Sequence, residues 1–382
     1  MKGEAATRSL GALKIVHVSD FFFGLKSNAP CQFRVGGKIS NGLVRLGHHV
    51  INVPYKDVAR AGSFLGSRPL GRRALERALV DFVVDAAPDV LLLGHGYMVT
   101  PEALLAIKRR CPGLKMAQWN VDALYVPENA HNLRQRHQVV DATFTSTAPT
   151  CARAVLQAPF GGTVGWLPNP VDLSVERGRA WRDWQSHDPA QAHVFYGCGN
   201  ASRPKRLIAG QWWNMDDFTR YLESKVRALL PNTVPVRFAY AGLRGKPYGT
   251  GAGYAAQLGR AAMGLNISGR PDWPLYSSDR LAHLAGHGQF VLVERQTGLE
   301  RFFTAEEMGF FSTLDGLASL VAANVLDETG WRRRAQAGFE RYSQLFNERR
   351  VAHALLARLY GLDGPASEND QAEMDWWDMP RS

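Results

Sequence analysis

The sequence lacks the glycine fingerprint G-x-G-x-x-G after its first apolar segment, and it has no Walker-type phosphate loop. Those absences weigh against a dinucleotide dehydrogenase and against a P-loop nucleotide hydrolase. Cysteine is scarce. The four residues Cys31, Cys111, Cys151 and Cys198 are scattered, with no C-x-x-C pair and no histidines grouped at zinc spacing. This pattern excludes a disulfide framework and a structural zinc site, and it reads as reduced thiols of a cytoplasmic protein. No long uncharged apolar run is present. The best stretch, Leu79 to Leu93, is broken by Asp81, Asp85 and Asp89, so a membrane-spanning helix is not expected. The first residues, MKGEAATRSLGALK, lack the apolar core of a secretory signal.

What is present is ordinary globular material in unusual charge balance. The chain has 382 residues, 45% hydrophobic and 21% charged, with a net charge of +10. That length suits two α/β domains better than one. From Asp363 onward the tail holds six acidic residues and one basic one, leaving 44 Lys and Arg against 29 Asp and Glu in residues 1–362. A surplus of +15 over that body either favours anionic partners, as nucleotide phosphates, anionic lipid headgroups or nucleic acid, or only keeps the protein soluble. Nucleic acid is not expected, because the basic residues are dispersed and no reading motif occurs.

Short apolar runs alternate with amphipathic stretches. Strands are expected at Lys14–Val18, His48–Val53, Asp89–Leu93, Lys115–Trp119, Ala142–Ser146 and Val164–Leu167. Helices are expected near 33–46, 70–86 and 101–110, with Gly47 as a left-handed C-cap. Leu167 to Asp172 closes this half, and a polar linker runs to about Gln191. The pattern then restarts with strands at His193–Tyr196, Val236–Tyr240, Met263–Ile267 and Gln289–Val293, and residues 314–360 read as almost wholly helical. Strands and helices alternating at this spacing predict two doubly wound parallel sheets, each binding ligands beyond the carboxyl ends of its strands. The expected boundaries are 1–172, 190–362 and an acidic, loosely ordered tail at 363–382, in which Trp376 and Trp377 are apolar enough to dock back.

The second half resembles the C-terminal domain of the CgeB-like, spore-maturation glycosyltransferases, a branch of the GT-B fold. The likeness rests on Leu265-Asn-Ile-Ser268, Ser278-Asp-Arg280, Ala285-Gly-His-Gly288, Phe290-Val-Leu-Val293 and Gly298-Leu-Glu-Arg-Phe-Phe303. Glu306–Phe311, Gly338–Arg341 and Phe346–Arg349 extend it, over about 100 residues in all. The first half is similar to GT-B enzymes more loosely, through Leu43–Val50 and Leu167–Asp172. The resemblance implies a GT-B architecture, with two Rossmann-like domains facing a cleft and a helical C-terminus. It implies transfer of a sugar from a nucleotide-sugar donor to a glycan or lipid-linked acceptor in cell-surface polysaccharide assembly. One position departs from it: the family's glutamate, expected to hold the donor ribose three residues after the arginine, is His283 here. A nucleotide-sugar epimerase, or a non-catalytic GT-B binding module, shares the same fold and stays open.

Such chemistry needs a stabilised departing phosphate and an oriented acceptor hydroxyl. No Asp-x-Asp occurs, so a metal ion and other cofactors are not expected; helix N-termini and cations would replace them. For the donor the candidates are Ser277, Ser278, Arg280 and His283 at a helix start, and Gly197, Gly199, Arg203, Lys205 and Arg206 after a strand. Gly298, Leu299 and Glu300 complete that set. The competing readings are a plain helix cap, a solvated basic loop and a simple turn. Gly242 to Gly253, with Arg244 and Lys246, is either a closing loop or a mere connection. Candidate bases lie just beyond strands of the first half: Asp122, His95 and Asp20. Phe21–Phe23 and Trp212–Trp213 read as inward-packing core, the preferred expectation, or as an exposed acceptor platform. The stretch Lys56 to Arg77 mixes five arginines with Phe64, Leu65, Leu70 and Leu75. It reads either as a solvated face or as a peripheral contact with the inner face of the cytoplasmic membrane.

Overall fold

The computed structural model describes residues 10–21, 34–157, 162–198, 205–249, 251–362 and 377. They divide into two compact units, one running to residue 168 and taking in 348–362 and 377, the other spanning 169–347.

The first unit alternates strand and helix: β1 (Lys14–Ser19), α1 (Val35–Arg45), β2 (His49–Pro54), α2 (Tyr55–Ala61), α3 (Arg72–Ala86), β3 (Val90–Gly94), α4 (Pro101–Arg110), β4 (Lys115–Asn120), α5 (Pro127–His137), β5 (Ala142–Thr145), α6 (Pro149–Leu156) and β6 (Thr163–Trp166). Its six strands are all parallel, in the order β2-β1-β3-β4-β5-β6. The central strand β3, VLLLG, is buried at every position, as a strand covered by helices on both faces must be. Helix ends follow local chemistry. Thr100 accepts a hydrogen bond from the Ala103 N–H with Pro101 as the first helical residue, and Gly47 follows α1 at φ +89°.

The second unit contains α7 (Ala180–Asp183), β7 (Ala192–Gly197), β8 (Arg206–Ile208), β9 (Gln211–Trp213), α8 (Met215–Leu229), β10 (Phe238–Ala241), α9 (Gly251–Gly259), β11 (Ala261–Asn266), α10 (Arg280–Gly286), β12 (Phe290–Glu294), β13 (Gly309–Phe311), α11 (Leu314–Leu326) and α12 (Glu328–Leu345). Its parallel sheet runs β10-β7-β11-β12-β13, while β8 and β9 form a separate antiparallel hairpin. The hairpin turns through Ala209 and Gly210, both left-handed, at φ +48° and +77°, the pairing a tight two-residue turn requires. The core gathers under Phe218, Leu265, Leu292, Val321 and Trp331.

Several details depart from the sequence reading. The polar linker is built structure: α7 has Trp184 as its C-cap, fully buried against Trp331 with ring centroids 5.5 Å apart. The last helix, α13 (Glu348–Leu359), packs on α1 and so belongs with the first unit, not with residues 190–347. Contact is close because Gly42 of α1 has no side chain; a Cβ there would lie 2.1 Å from the Glu348 carbonyl oxygen. Trp377 is buried in the first unit, edge-on to Trp166 and beneath the guanidinium groups of Arg350 and Arg358. Phe21 is buried edge-on to His17, and Phe22 and Phe23 lie outside the described residues. Trp213 packs on Phe218 and Tyr221, but Trp212 faces outward with the Arg270 guanidinium over its ring. The alternation of the β9 strand puts the two tryptophans on opposite faces.

Candidate functional site

In the first unit β1, β3 and β4 are neighbours, so the residues that follow them gather at one edge of the sheet. Beyond β1, the Asp20 carboxylate accepts from Arg34 at 2.8 Å and from Lys56 at 2.7 Å, both on the same oxygen. Its other oxygen is buried without a hydrogen-bond partner among the described residues, as are Ser19 Oγ and Asn120 Nδ2. An unmet buried polar atom costs on the order of 1–3 kcal/mol, and three at one sheet edge suit a hydroxyl-rich ligand. The Tyr55 phenol stands beside Asp20; burial, then the negative charge of Asp20, pushes its pKa upward.

Beyond β3 and β4 the structure brings His95 and Asp122 together, Nδ1 lying 3.2 Å from the carboxylate. Tyr97 completes the group, its hydroxyl donating to Asp122 and lying 3.1 Å from His95 Nδ1. Burial, reinforced by the Asp122 charge, raises the Tyr97 pKa and keeps the phenol protonated. In the tautomer that turns Nδ1–H toward Asp122, the lone pair of His95 sits on Nε2. Asn120 Oδ1 fixes Asp122 by accepting its backbone N–H at 2.7 Å. Behind them a buried relay holds the strands in register: Trp119 Nε1 donates to His17 Nε2 at 3.1 Å, and His17 Nδ1 meets Ser40 Oγ at 2.9 Å. Burial lowers the His17 pKa to about 3, so this imidazole is neutral throughout the physiological range.

In the second unit the corresponding edge lies beyond β7, β11 and β12. The Arg280 guanidinium, buried at the start of α10, donates to the carbonyl oxygens of Gly197 and Ile267, the latter at 2.8 Å, and lies over the Tyr196 ring. Arg206 donates to the same Ile267 oxygen at 2.6 Å and reaches Cys198 Sγ at 3.3 Å. Two cations thus converge on one carbonyl, and Arg280 has no ion-pair partner among the described residues. Around them Asn266 is buried with neither amide atom hydrogen-bonded, and Ser278 Oγ and Arg280 Nε are equally without partners. The fork of Arg280, expected to face a phosphate, is given to the main chain here; its charge and its Nε–H remain.

The other expected donor residues are spread more widely. The Ser277 carbonyl and hydroxyl oxygens accept from Asn169 Nδ2 at 3.0 and 3.3 Å. His283 is buried in α10, edge-on to Tyr254, and Tyr254 in turn contacts the half-exposed Tyr248. Lys205 is exposed. Gly298, at φ +76°, joins two short 3-10 turns. Leu299 beside it is buried, and the exposed Glu300 pairs with Arg295 at 3.0 Å. Gly199 and Arg203 lie outside the described residues. Arg244 is tied to Glu223 at 2.5 Å, and Gly251 to Gly253 already form the first turn of α9. No group of three His, Cys, Asp or Glu able to hold a metal ion occurs among the described residues.

Sequence reasoning missed Tyr97, Lys56, Arg34, Asn266 and Glu294. Glu294 ends β12, is buried, and accepts the Ala209 N–H at 3.0 Å. Burial pushes its carboxyl from the ordinary 4.5 to about 7. The strand-end rule that picked out Asn120 and Asp122, applied to every polar residue, would have caught Asn266 and Glu294.

Residues 218–357 match the family model described as glycosyl transferase-like. Over 91% or more of the chain the architecture matches solved enzymes of that kind. The fold is that of the GT-B glycosyltransferases. The sucrose-phosphate synthase of Thermosynechococcus elongatus aligns with a TM-score of 0.58 at 13% identity, over 91% of this chain and 98% of its own. The α,α-trehalose 6-phosphate synthase of Burkholderia multivorans aligns at 0.57 and 9% identity, over 97% and 99%. HepE of Anabaena, solved with UDP-glucose, aligns at 0.53 and 12%, over 91% and 100%. No curated protein matches the sequence.

Proposed function

We propose that this GT-B chain moves a sugar from a nucleotide-sugar donor to a glycan or glycolipid acceptor in cell-surface polysaccharide assembly, without a metal ion. The observation that carries the reading is Arg280: a buried cation with no carboxylate partner among the described residues, beside unsatisfied amide and hydroxyl groups, inside the segment that matches the glycosyl transferase-like family. Charge develops on the departing diphosphate, and cations held in a water-poor edge stabilise it far better than exposed ones do. The UDP-glucose complex of HepE supports the donor class. On the acceptor side, His95 Nε2 would take the hydroxyl proton while Asp122 holds the opposite nitrogen, the division of labour found in Asp-His pairs generally. Asp20 Oδ1 and Asn120 Nδ2 supply further hydrogen bonds to sugar hydroxyls.

The test is calorimetry and nucleotide release with a panel of nucleotide sugars. One donor should bind and be slowly consumed; Arg280→Met should abolish binding, and His95→Ala should spare binding while removing turnover. Absence of binding by every nucleotide and nucleotide sugar would defeat the reading, and interconversion of the sugar itself would assign an epimerase instead.

Peripheral contact with an anionic membrane belongs to the same proposal. No helix among the described residues is long and apolar enough to cross a membrane. Between α2 and α3, however, Phe64 is fully exposed at 103%, with Leu65 at 74% and Leu70 at 67%, amid Arg60, Arg68, Arg72 and Arg73. Apolar side chains flanked by arginines suit the headgroup boundary. Salt-sensitive flotation with anionic vesicles, lost in Phe64→Ser/Leu65→Ser, is the expected result; no flotation of the wild type removes the idea.

A further inference from the structure

We propose that Arg136, on a helix to which the sequence assigned no site residue, is the positioning residue for the His95–Tyr97–Asp122 group. The inference rests on the reading of His95 as the base.

Arg136 is buried in α5 at 3% exposure. Its guanidinium spends three donors on one loop and its support: Nη2 to the His95 carbonyl at 2.8 Å, Nη1 to the Gly96 carbonyl at 2.9 Å, and Nε to Gln118 Oε1 at 3.1 Å. The Gln118 amide is held in turn, since its Nε2 donates to the Leu133 carbonyl and to Thr143 Oγ1. The clamped loop is one the chain would not adopt unaided. His95 and Gly96 are consecutive left-handed residues, at φ +59° and +48°, a conformation that a non-glycine residue keeps only when its surroundings over-determine it.

That backbone sets what the imidazole touches. The turn brings the His95 ring edge-on to Trp119, at 5.0 Å between centroids, and its Nδ1 to Tyr97 and Asp122. Arg136 also lies 6.0 Å from the Tyr97 ring. Arg136 has no ion-pair partner among the described residues. Burial lowers its pKa to about 10, opposed by Tyr97 and Tyr55, so the cation persists at neutral pH. A buried cation of this kind is expensive to keep, and what it holds is the His95 turn. Arginine is specific to the task, because an ammonium group cannot span two carbonyls and an amide with fixed fork geometry.

The experiment compares full-length wild type with Arg136→Lys and Arg136→Gln. It measures kcat, donor KM and the ring proton resonance of His95, assigned by its loss in His95→Gln. The expected result is a fall in kcat of about a hundredfold, as for a reacting group misplaced by about 1 Å. Donor KM should stay within about twofold, because donor binding lies in the other unit. The His95 resonance should move in both variants. Arg136→Gln retains one donor nitrogen and buries no charge, so it decides the matter if the lysine variant does not fold. Wild-type kcat together with an unmoved resonance in a folded variant overturns the proposal. If the wild type consumes no nucleotide sugar, the functional reading fails, and the resonance still decides whether Arg136 sets His95.

Discussion

Glu294→Gln isolates a single buried proton. In the folded chain the Glu294 carboxyl is pushed by burial from 4.5 to about 7, with the Asp272 charge adding to the effect and the Ala209 N–H bond opposing it. Between those two values the native state keeps a proton that the unfolded chain has released. Stability therefore falls as pH rises through this window and levels off above about pH 7. Each pH unit of displacement is worth about 1.4 kcal/mol, which sets a ceiling of about 3 kcal/mol on the destabilisation of the wild type at alkaline pH. Glutamine keeps an oxygen for the Ala209 N–H and never ionises. Urea denaturation should show the two proteins nearly equal below about pH 5, with the variant more stable by about 1–2 kcal/mol above about pH 8, the ceiling being reduced by solvent screening. A stability difference that does not change with pH would refute the assignment of the buried proton to Glu294.

Two stability predictions concern the return of the C-terminus to the first unit. Gly42→Ala places a methyl group 2.1 Å from the Glu348 carbonyl oxygen, so α1 and α13 must separate; a loss of about 1–3 kcal/mol by urea denaturation is expected, and a neutral result would mean the helices are not in contact. Trp377→Ala empties a site that is fully buried against Trp166, Arg350 and Arg358; it should cost about 3–5 kcal/mol and leave nucleotide binding unchanged by calorimetry.

The alternating architecture was legible because parallel strands advertise themselves. Val90–Leu93 and Phe290–Val293 are continuous apolar runs, each followed by a glycine or polar residue. Knowing where strands end was enough to pick out His95 and Asp122, which the structure brings to 3.2 Å of each other. Their partners could not be read the same way. Tyr97 joins them only because His95 and Gly96 turn left-handed, and Arg136 arrives from a helix, PENAHNLRQRH, too polar to show a clear apolar stripe. The β8–β9 hairpin was missed because three-residue strands carry too few positions to display a period. The reassignment of α13 was equally hidden, since its apolar positions fit a helix of either unit. Only the missing side chain at Gly42 records which surface receives it.

The homecoming of α13 sets an order on biosynthesis. A ribosome releases the strands of the first unit early, yet the cover for α1 is encoded by residues 348–359, after the whole second unit. Until those codons are read, the Gly42 flank of α1 must stay uncovered, and the nascent first unit waits, incomplete, while its successor emerges. Trimming the gene from its 3′ end would for the same reason injure the half of the protein encoded at its 5′ end.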